Sequence, residues 1–154
     1  MKIAGPDGDI SWLFQDGDYG YKDFVASVDA LVMGRKTYET IQSFGDWPYD
    51  DKKTYVLSHA TLVGDTPEGV EQYNGDIAKL DLSKHKHVWI VGGAGVAQQF
   101  LHQNLIDELI LSIHPLILGD GIALFDEIRK PLPLKLEKSE SFDSGLTQLT
   151  YGRP

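Results

Sequence analysis

The most informative segment of this chain reads Val88-Trp89-Ile90-Val91-Gly92-Gly93-Ala94-Gly95-Val96. Four apolar residues in a row leave neither face of a strand for water, so residues 88–91 predict a buried strand. The glycines allow a tight turn and let a ligand approach the main chain closely. Over residues 96–105 the apolar side chains recur at helical spacing, which predicts a helix that starts where the turn ends.

The start of that helix is a candidate phosphate site, because free N–H groups and the positive end of the helix dipole both favour an anion. A strand-to-helix turn without a ligand explains the segment equally well. The segment is not the dinucleotide fingerprint Gly-x-Gly-x-x-Gly, since Gln98 occupies the third glycine position. It is not a P-loop either, because no Gly-Lys-Ser/Thr follows.

Composition limits the classes of function. The 154 residues suffice for one domain with a substantial core, and we expect a single domain over 1–154. A net charge of −9 argues against nucleic acid or an anionic membrane as the main partner, although an anionic cofactor needs only a local site. The chain has no cysteine, no apolar run of about 20 residues and no signal peptide at its start, so we expect a cytoplasmic protein.

The remaining segments alternate short apolar strands with helices, which indicates an α/β fold with a mostly parallel sheet. Residues 30–33 predict a strand that ends at Gly34, followed by a helix that opens near Lys36. We further predict helices at 21–28 and 76–82, strands at 54–57 and 70–73, a long β-rich run at 108–118, and an antiparallel C-terminal hairpin of 134–142 with 146–151.

Three of these segments resemble dihydrofolate reductases in order and spacing. Asp29-Ala-Leu-Val-Met-Gly-Arg-Lys-Thr-Tyr-Glu39 is similar to their strand–turn–helix, and Tyr55-Val-Leu-Ser-His59 to their next strand. Val91-Gly-Gly93, continued through Asp107-Glu-Leu-Ile-Leu111, resembles their Gly-Gly turn, helix and following strand. Together they cover most of residues 29–126.

Within that superfamily the chain most resembles the C-terminal reductase domain of the riboflavin-biosynthesis deaminase/reductase and its stand-alone bacterial relatives. Gly5-Pro-Asp-Gly-Asp-Ile-Ser-Trp12 and Pro115-Leu-Ile-Leu-Gly-Asp-Gly121 carry this closer likeness. These relatives place an apolar strand inside the sheet before the first of these segments. The chain opens at Met1-Lys-Ile-Ala, so we predict that this first strand is absent and count seven strands where the family has eight.

The resemblance implies that the chain binds NADPH. It places the cofactor against Gly34, Arg35, Lys36, Thr37, Ser58, His59, Val91, Gly92, Gly93, Ala94, Gly95 and Val96. Arg35 and Lys36 would meet the 2′-phosphate or the pyrophosphate, and Thr37 would donate through its hydroxyl and N–H groups. His59 could add charge beside a 2′-phosphate. An isolated match would instead be a surface basic pair with a capping threonine.

The remaining candidate residues give less specific indications of a substrate pocket, a catalytic acid or a metal site. Trp12, Trp47 and Tyr49 could form one wall of a substrate pocket, or they could simply cover the core. Asp23 is a weak candidate for the catalytic acid, and we assign no other catalytic residue. The histidines at 85, 87, 102 and 114 have no carboxylate partners at ligand spacing, so we expect no metal site. No Gly-x-Ser-x-Gly elbow supports a hydrolase.

The function that the resemblance implies is an NADPH-dependent reductase of a pyrimidine or pterin-like heterocycle, of the 5-amino-6-ribosylaminouracil reductase type in riboflavin biosynthesis. The alternative is a non-catalytic nucleotide-binding or assembly module that lost its active site with the first strand. We also expect a homodimer, formed through residues 109–118, because relatives commonly pair and a missing interior strand would expose backbone and apolar side chains.

Overall fold

The structure is a computed structural model that describes residues 1–126, 128 and 131–154. Its contacts divide the chain into two compact units. The central unit is Gly20–Gln103, and the terminal unit combines Met1–Tyr19 with Asn104–Pro154. The expectation of a single domain over 1–154 stays a prediction.

Across the described residues the chain forms three α-helices and nine strands. In chain order they are β1 (Lys2–Ala4), α1 (Tyr21–Ser27), β2 (Ala30–Gly34), α2 (Arg35–Gln42), β3 (Lys53–Leu57), β4 (Val70–Tyr73), β5 (Val88–Gly92), α3 (Ala94–His102), β6 (Glu108–Ile113), β7 (Ile122–Ala123), β8 (Lys135–Ser141) and β9 (Thr147–Gly152). One 3-10 turn, Ile77–Lys79, lies between β4 and β5.

The central unit contains a four-stranded parallel sheet in the order β4-β3-β2-β5. The inner strand β2 is its most buried element, since Ala30, Leu31, Val32 and Met33 are all fully buried. The prediction of a buried strand is wrong for 88–91, where all four side chains are only half-buried. The physical reason is that β5 is an end strand of this sheet, whereas its apolar run is typical of an inner one.

One face of this sheet supports the core of the central unit. Leu31 and Met33 on β2 pack with Val56 on β3, and parallel register places Met33 directly opposite Val56. Tyr38 from α2 and Tyr49 from the following loop complete the buried cluster. The apolar spacing that predicts α2 therefore directs its buried tyrosine onto the sheet.

The terminal unit contains two antiparallel sheets. β6, β9 and β8 form a three-stranded sheet in that order, and the predicted C-terminal hairpin turns where Phe142 N–H donates to the Leu146 carbonyl. The β-rich run ends at Ile113 rather than at residue 118. The predicted α/β class with a parallel sheet and an antiparallel C-terminal hairpin is confirmed.

The chain does have a first strand, but it is not one of the four strands of the parallel sheet, so the predicted absence of an interior first strand holds for that sheet. Lys2–Ala4 forms β1, which pairs with the two-residue strand β7 and is further tied by a hydrogen bond from Lys2 Nζ to the Gly121 carbonyl, 2.8 Å long. The count of seven strands was low because β1 and β7 are too short to show a pattern. At 76–82 only the 3-10 turn Ile77–Lys79 forms, and α3 spans Ala94–His102 rather than 96–105.

Candidate nucleotide-binding site

Two helix N-termini lie side by side in the central unit. α2 starts directly after β2, and α3 starts one residue after β5, its parallel neighbour. A Cβ atom on Gly34 would lie 3.2 Å from Val96 Cγ2, and one on Gly93 would lie 3.7 Å from Thr37 Oγ1. The segments 34–37 and 92–96, predicted to hold the cofactor together, are therefore in direct contact.

Neither helix start is capped by a side chain, although Val96 N–H in the first turn of α3 already donates to the Gly93 carbonyl across 3.0 Å. Each N-cap is a glycine, Gly34 or Gly93, and neither helix has a hydrogen bond from a capping side chain. Thr37 is therefore not a capping threonine, which removes the alternative interpretation of that residue. Gly92 has a φ of 118°, a conformation that side chains rarely adopt, so the sharp turn into α3 depends on glycine there. The first N–H groups of a helix lack partners within it, and they suit an anion.

A cavity of about 150 Å³ opens beside these helix starts. Its lining residues come from the ends of β3 and β4, the loops that follow, and one side of α3: Leu57, Ser58, His59, Tyr73, Asn74, Gly75, Ile77, Val96 and Gln99. Val96 both lines the cavity and contacts Gly34, so this one side chain joins the wall of the cavity to the paired helix starts. Ligands of open parallel sheets bind outside the carboxyl ends of the strands, which is where this cavity lies.

The loop after β3 forms one wall of the cavity. Ser58 N–H donates to the Tyr73 carbonyl across 3.1 Å, and the Ser58 hydroxyl donates to the Ala60 carbonyl across 2.5 Å. His59 Nδ1 lies 2.5 Å from Asn74 Oδ1. The Ser58 hydroxyl therefore already donates its proton within the loop. His59 contacts Asn74, which lines the cavity on the β4 side.

The two predicted cations on α2 differ in their partners. Arg35 Nη1 lies 2.5 Å from Glu39 Oε1, one helical turn along. Lys36 is exposed, and no carboxylate among the described residues lies within ion-pair distance of it. Neither side chain lines the cavity, so a role for either would be at the helix starts.

The predicted substrate residues occupy different surroundings. Trp47 packs with ring-centroid distances of 5.4 Å to Tyr38 and 5.5 Å to Tyr49, within the core of the central unit. This placement matches the interpretation in which the aromatic loop residues cover the core. Trp12 belongs to the terminal unit, where its Nε1 donates to the Asp9 carbonyl and its ring meets His114 edge-on at 5.2 Å.

Tyr49 is bound to a neighbouring phenol, since its hydroxyl lies 2.8 Å from that of Tyr21. Burial, followed by this hydrogen bond, raises the pKa of Tyr49 above its ordinary value, so the side chain stays protonated at neutral pH. Asp23, the weak catalytic candidate, is exposed on the first turn of α1.

Neither a metal centre nor a membrane-spanning helix is found within the described part of the chain. No three His, Cys, Asp or Glu side chains come together there in a group that could hold a metal ion. None of the helices described is both long and apolar enough to cross a membrane.

Several lining residues were not predicted from the sequence: Tyr73, Asn74, Gly75, Gln99, Leu57 and Ile77. The first three follow β4, and a signal for them existed: β4 and β3 were both predicted, and neighbouring parallel strands end at the same edge. Gln99 could be predicted only from the rotation of α3 about its own axis. The predicted start of that helix was two residues too late, so the face that carries Gln99 was not identified.

Comparison with known proteins agrees with this architecture. The RibD C-terminal domain family matches residues 72–148. The uncharacterized protein YwjB of Bacillus subtilis (strain 168) is 35% identical over 98% of this chain and 90% of its own length. A solved structure from Shewanella sp. PV-4, assigned provisionally to riboflavin biosynthesis, is 34% identical with a TM-score of 0.83 and covers 99% of this chain and 92% of that one.

A more distant structure shows the fold alone. The diaminohydroxyphosphoribosylaminopyrimidine deaminase/5-amino-6-(5-phosphoribosylamino)uracil reductase of Thermotoga maritima is 15% identical, with a TM-score of 0.75 over 99% of this chain and 53% of its own. The predicted fold and the predicted family resemblance are both confirmed. This chain belongs to the RibD C-terminal domain family.

Proposed function

We propose that this chain is an NADPH-dependent reductase of a pyrimidine or pterin-like heterocycle. The observation that carries the proposal is the contact between two uncapped helix N-termini beside a cavity at the carboxyl ends of β3 and β4. Such a site offers donors for phosphates and an enclosed space for a base next to them. The Shewanella sp. PV-4 structure, 34% identical to this chain, is named for riboflavin biosynthesis, which supports the substrate class.

The residues present fit the cofactor in two parts. The cavity wall of Ser58, His59 and Asn74 would hold the adenosine half. The helix starts at Gly34 and Gly93 would hold the phosphates, with Thr37 and Lys36 adding a hydroxyl donor and a positive charge. Because glycine occupies both N-caps, no N-cap side chain covers the N–H groups.

When bound, NADPH supplies a hydride to an electron-poor carbon of the heterocycle. The chain's own contribution is to fix the cofactor's position and exclude water, which together account for much of the acceleration in such reactions. Tyr49 cannot act as a general base at neutral pH, since burial raises its pKa and its hydroxyl is engaged with Tyr21. Asp23 remains a candidate for supplying the proton.

Calorimetric titration tests the cofactor site with a matched pair of variants on α2. Thr37→Val removes the hydroxyl next to Gly93, and we expect it to raise the Kd for NADPH about three- to tenfold. Thr40→Val makes the same substitution one turn farther along, where the hydroxyl bonds only the Lys36 carbonyl, and should leave the Kd unchanged. Wild-type protein that does not bind NADPH would contradict the proposal.

A panel of pyrimidine and pterin substrates, followed by NADPH oxidation, then tests catalysis. We expect turnover of at least one heterocycle that carries a reducible C=N or imine-forming group. Tight NADPH binding without turnover of any panel member would favour the alternative, a non-catalytic nucleotide-binding module.

A further inference from the structure

Gln72 is a half-buried polar residue of β4 that the cavity lining does not include. Its Nε2 donates to the carbonyls of Ser58 and Ala60, each across 3.0 Å. Its Oε1 accepts from Leu62 N–H across 3.2 Å. One side chain therefore makes three hydrogen bonds to the loop that follows β3.

The chemistry of these three bonds fixes the amide in one orientation. The Ser58 carbonyl accepts a hydrogen bond here, the Ala60 carbonyl accepts one besides that from the Ser58 hydroxyl, and Leu62 N–H donates one, so an amide serves all three where a carboxylate or an alkyl group would not. β3 ends at Leu57, so these three backbone groups have no partner in regular strand pairing and depend on side chains instead. The Gln72 side chain thus provides the hydrogen bonds that a neighbouring strand would provide in a regular sheet.

The loop held in this way carries one wall of the cavity. Ser58 and His59 line it, and Leu62 anchors the far end of the loop by packing against the core of the central unit. Asn74, two residues after Gln72, contacts His59 from the cavity side. β4 therefore restrains the loop along its length through Gln72, and Asn74 just after β4 restrains it at His59.

We propose that Gln72 is the positioning residue of the nucleotide site, which shapes the adenosine-side wall without touching the ligand. This inference rests on the proposed function, because it assigns that wall to the cofactor. A loop that is ordered before binding loses less conformational entropy when the ligand arrives, so the affinity of the site depends on the residue that orders it.

The test uses the full chain with two Gln72 variants. Gln72→Met keeps the length of the side chain and removes all three bonds, and Gln72→Glu keeps only the acceptor for Leu62 N–H while placing oxygens against two carbonyls. Gln148→Met is the control, because Gln148 is also a half-buried strand glutamine and its side chain bonds only Ser112 in the terminal unit. The ligands are NADPH and adenosine 2′,5′-bisphosphate, which represents the adenosine half.

We expect Gln72→Met to weaken NADPH and the bisphosphate by the same factor, about tenfold, because the effect is confined to the adenosine side. Amide hydrogen exchange should accelerate in the loop 58–62 and not elsewhere in the sheet. Gln72→Glu should weaken both ligands at least as much while partly keeping the protection of Leu62. The Gln148→Met control should match wild type in affinity and in loop exchange.

The outcomes separate this inference from the proposed function. Wild type and Gln72→Met binding NADPH with equal affinity would overturn the role of Gln72 and leave the cofactor site standing. Weaker binding without faster exchange in the loop would also overturn it, since Gln72 would then act by another route. Wild-type protein that binds neither ligand would overturn the proposed function, and the role of Gln72 with it.

Discussion

Arg35 begins α2 with its charge already engaged by Glu39, at a position where a phosphate would compete for it. Both side chains are a little under half exposed, and a surface i,i+4 pair of this kind is weak. Arg35→Ala should therefore weaken NADPH several-fold, and more than NADH if the side chain meets the 2′-phosphate. Glu39→Gln should tighten NADPH about twofold by releasing the guanidinium.

Titration of both cofactors against each variant measures these effects. Glu140→Gln is a suitable control, because it removes the acid of another short surface pair, with Lys138, in the terminal unit. An unchanged NADPH affinity in Arg35→Ala would show that the phosphate is held by backbone N–H groups and Lys36 instead.

Trp47 offers a prediction about stability, because its indole Nε1 is buried without a hydrogen-bond partner among the described residues. Trp47→Phe removes this unpaired donor while keeping an aromatic ring against Tyr38 and Tyr49. The lost contact area and the relieved polar group should nearly cancel, and we expect a change in unfolding free energy within about 1 kcal/mol.

Trp47→Ala, by contrast, should destabilise the chain by about 2–4 kcal/mol, since it leaves a cavity in the core cluster. Urea denaturation followed by circular dichroism measures both. If Trp47→Phe kept full stability but lost turnover of its heterocycle, the indole would belong to the substrate site, as one interpretation of Trp47 predicts.

At the scale of secondary-structure elements, Asp29 joins the start of β2 to the start of β5. Its two carboxylate oxygens accept from Lys86 N–H and His87 N–H, each across 3.0 Å, and Asp29 N–H donates back to the His87 carbonyl. These bonds lie just before the paired residues Ala30 and Val88, so they set the register in which the two strands begin. The backbone donors lower the pKa of the Asp29 carboxyl from its ordinary value.

A lowered pKa in the folded state stabilises the fold above the pKa of the unfolded chain, near 4, and this contribution disappears as the pH falls through the folded value. Asp29→Asn should therefore be less stable than wild type at pH 7, and the difference should shrink below about pH 4. Thermal unfolding from pH 7 to pH 2.5 measures this, with Asp46→Asn in an exposed loop as the control. A stability difference that is constant with pH would contradict the role of the carboxylate charge.

The elements also show what a sequence can predict here. β2, β3 and α2 were predictable because each has a clear apolar pattern and a glycine or serine that marks its end. The position of a strand within the sheet was not predictable, since the run at 88–91 has the composition of an inner strand but forms an end strand of the parallel sheet. The role of Gln72 was equally hidden, because it depends on pairing with carbonyls 12 and 14 residues away in the chain.

At the scale of the whole molecule, the expected homodimer remains a prediction. A first strand, β1, is present, but it pairs with β7, and β5 is an end strand of the parallel sheet in the central unit. The terminal unit also exposes several large apolar side chains: Ile110, Ile113, Leu116, Ile117 and Leu136. Apolar surface of this extent is typical of an interface between copies of a chain.

Ile117 is 98% exposed, so Ile117→Glu should leave the fold intact and shift a dimer toward monomer. Val63→Glu is the matched control, since Val63 is 84% exposed in the central unit. Light scattering across a dilution series measures the mass of each. A wild-type mass of 17.1 kDa at every micromolar concentration would rule the dimer out.

The pairing of β1 with β7 bears on the order in which the chain can acquire its structure as it is made. Lys2 meets its partner Ala123 across about 120 residues, and a ribosome adds roughly 5–20 residues per second. The first strand therefore leaves the ribosome on the order of ten seconds before its partner exists. The central unit is one uninterrupted segment that lies entirely between them, so synthesis favours its completion while both ends of the chain are still unjoined.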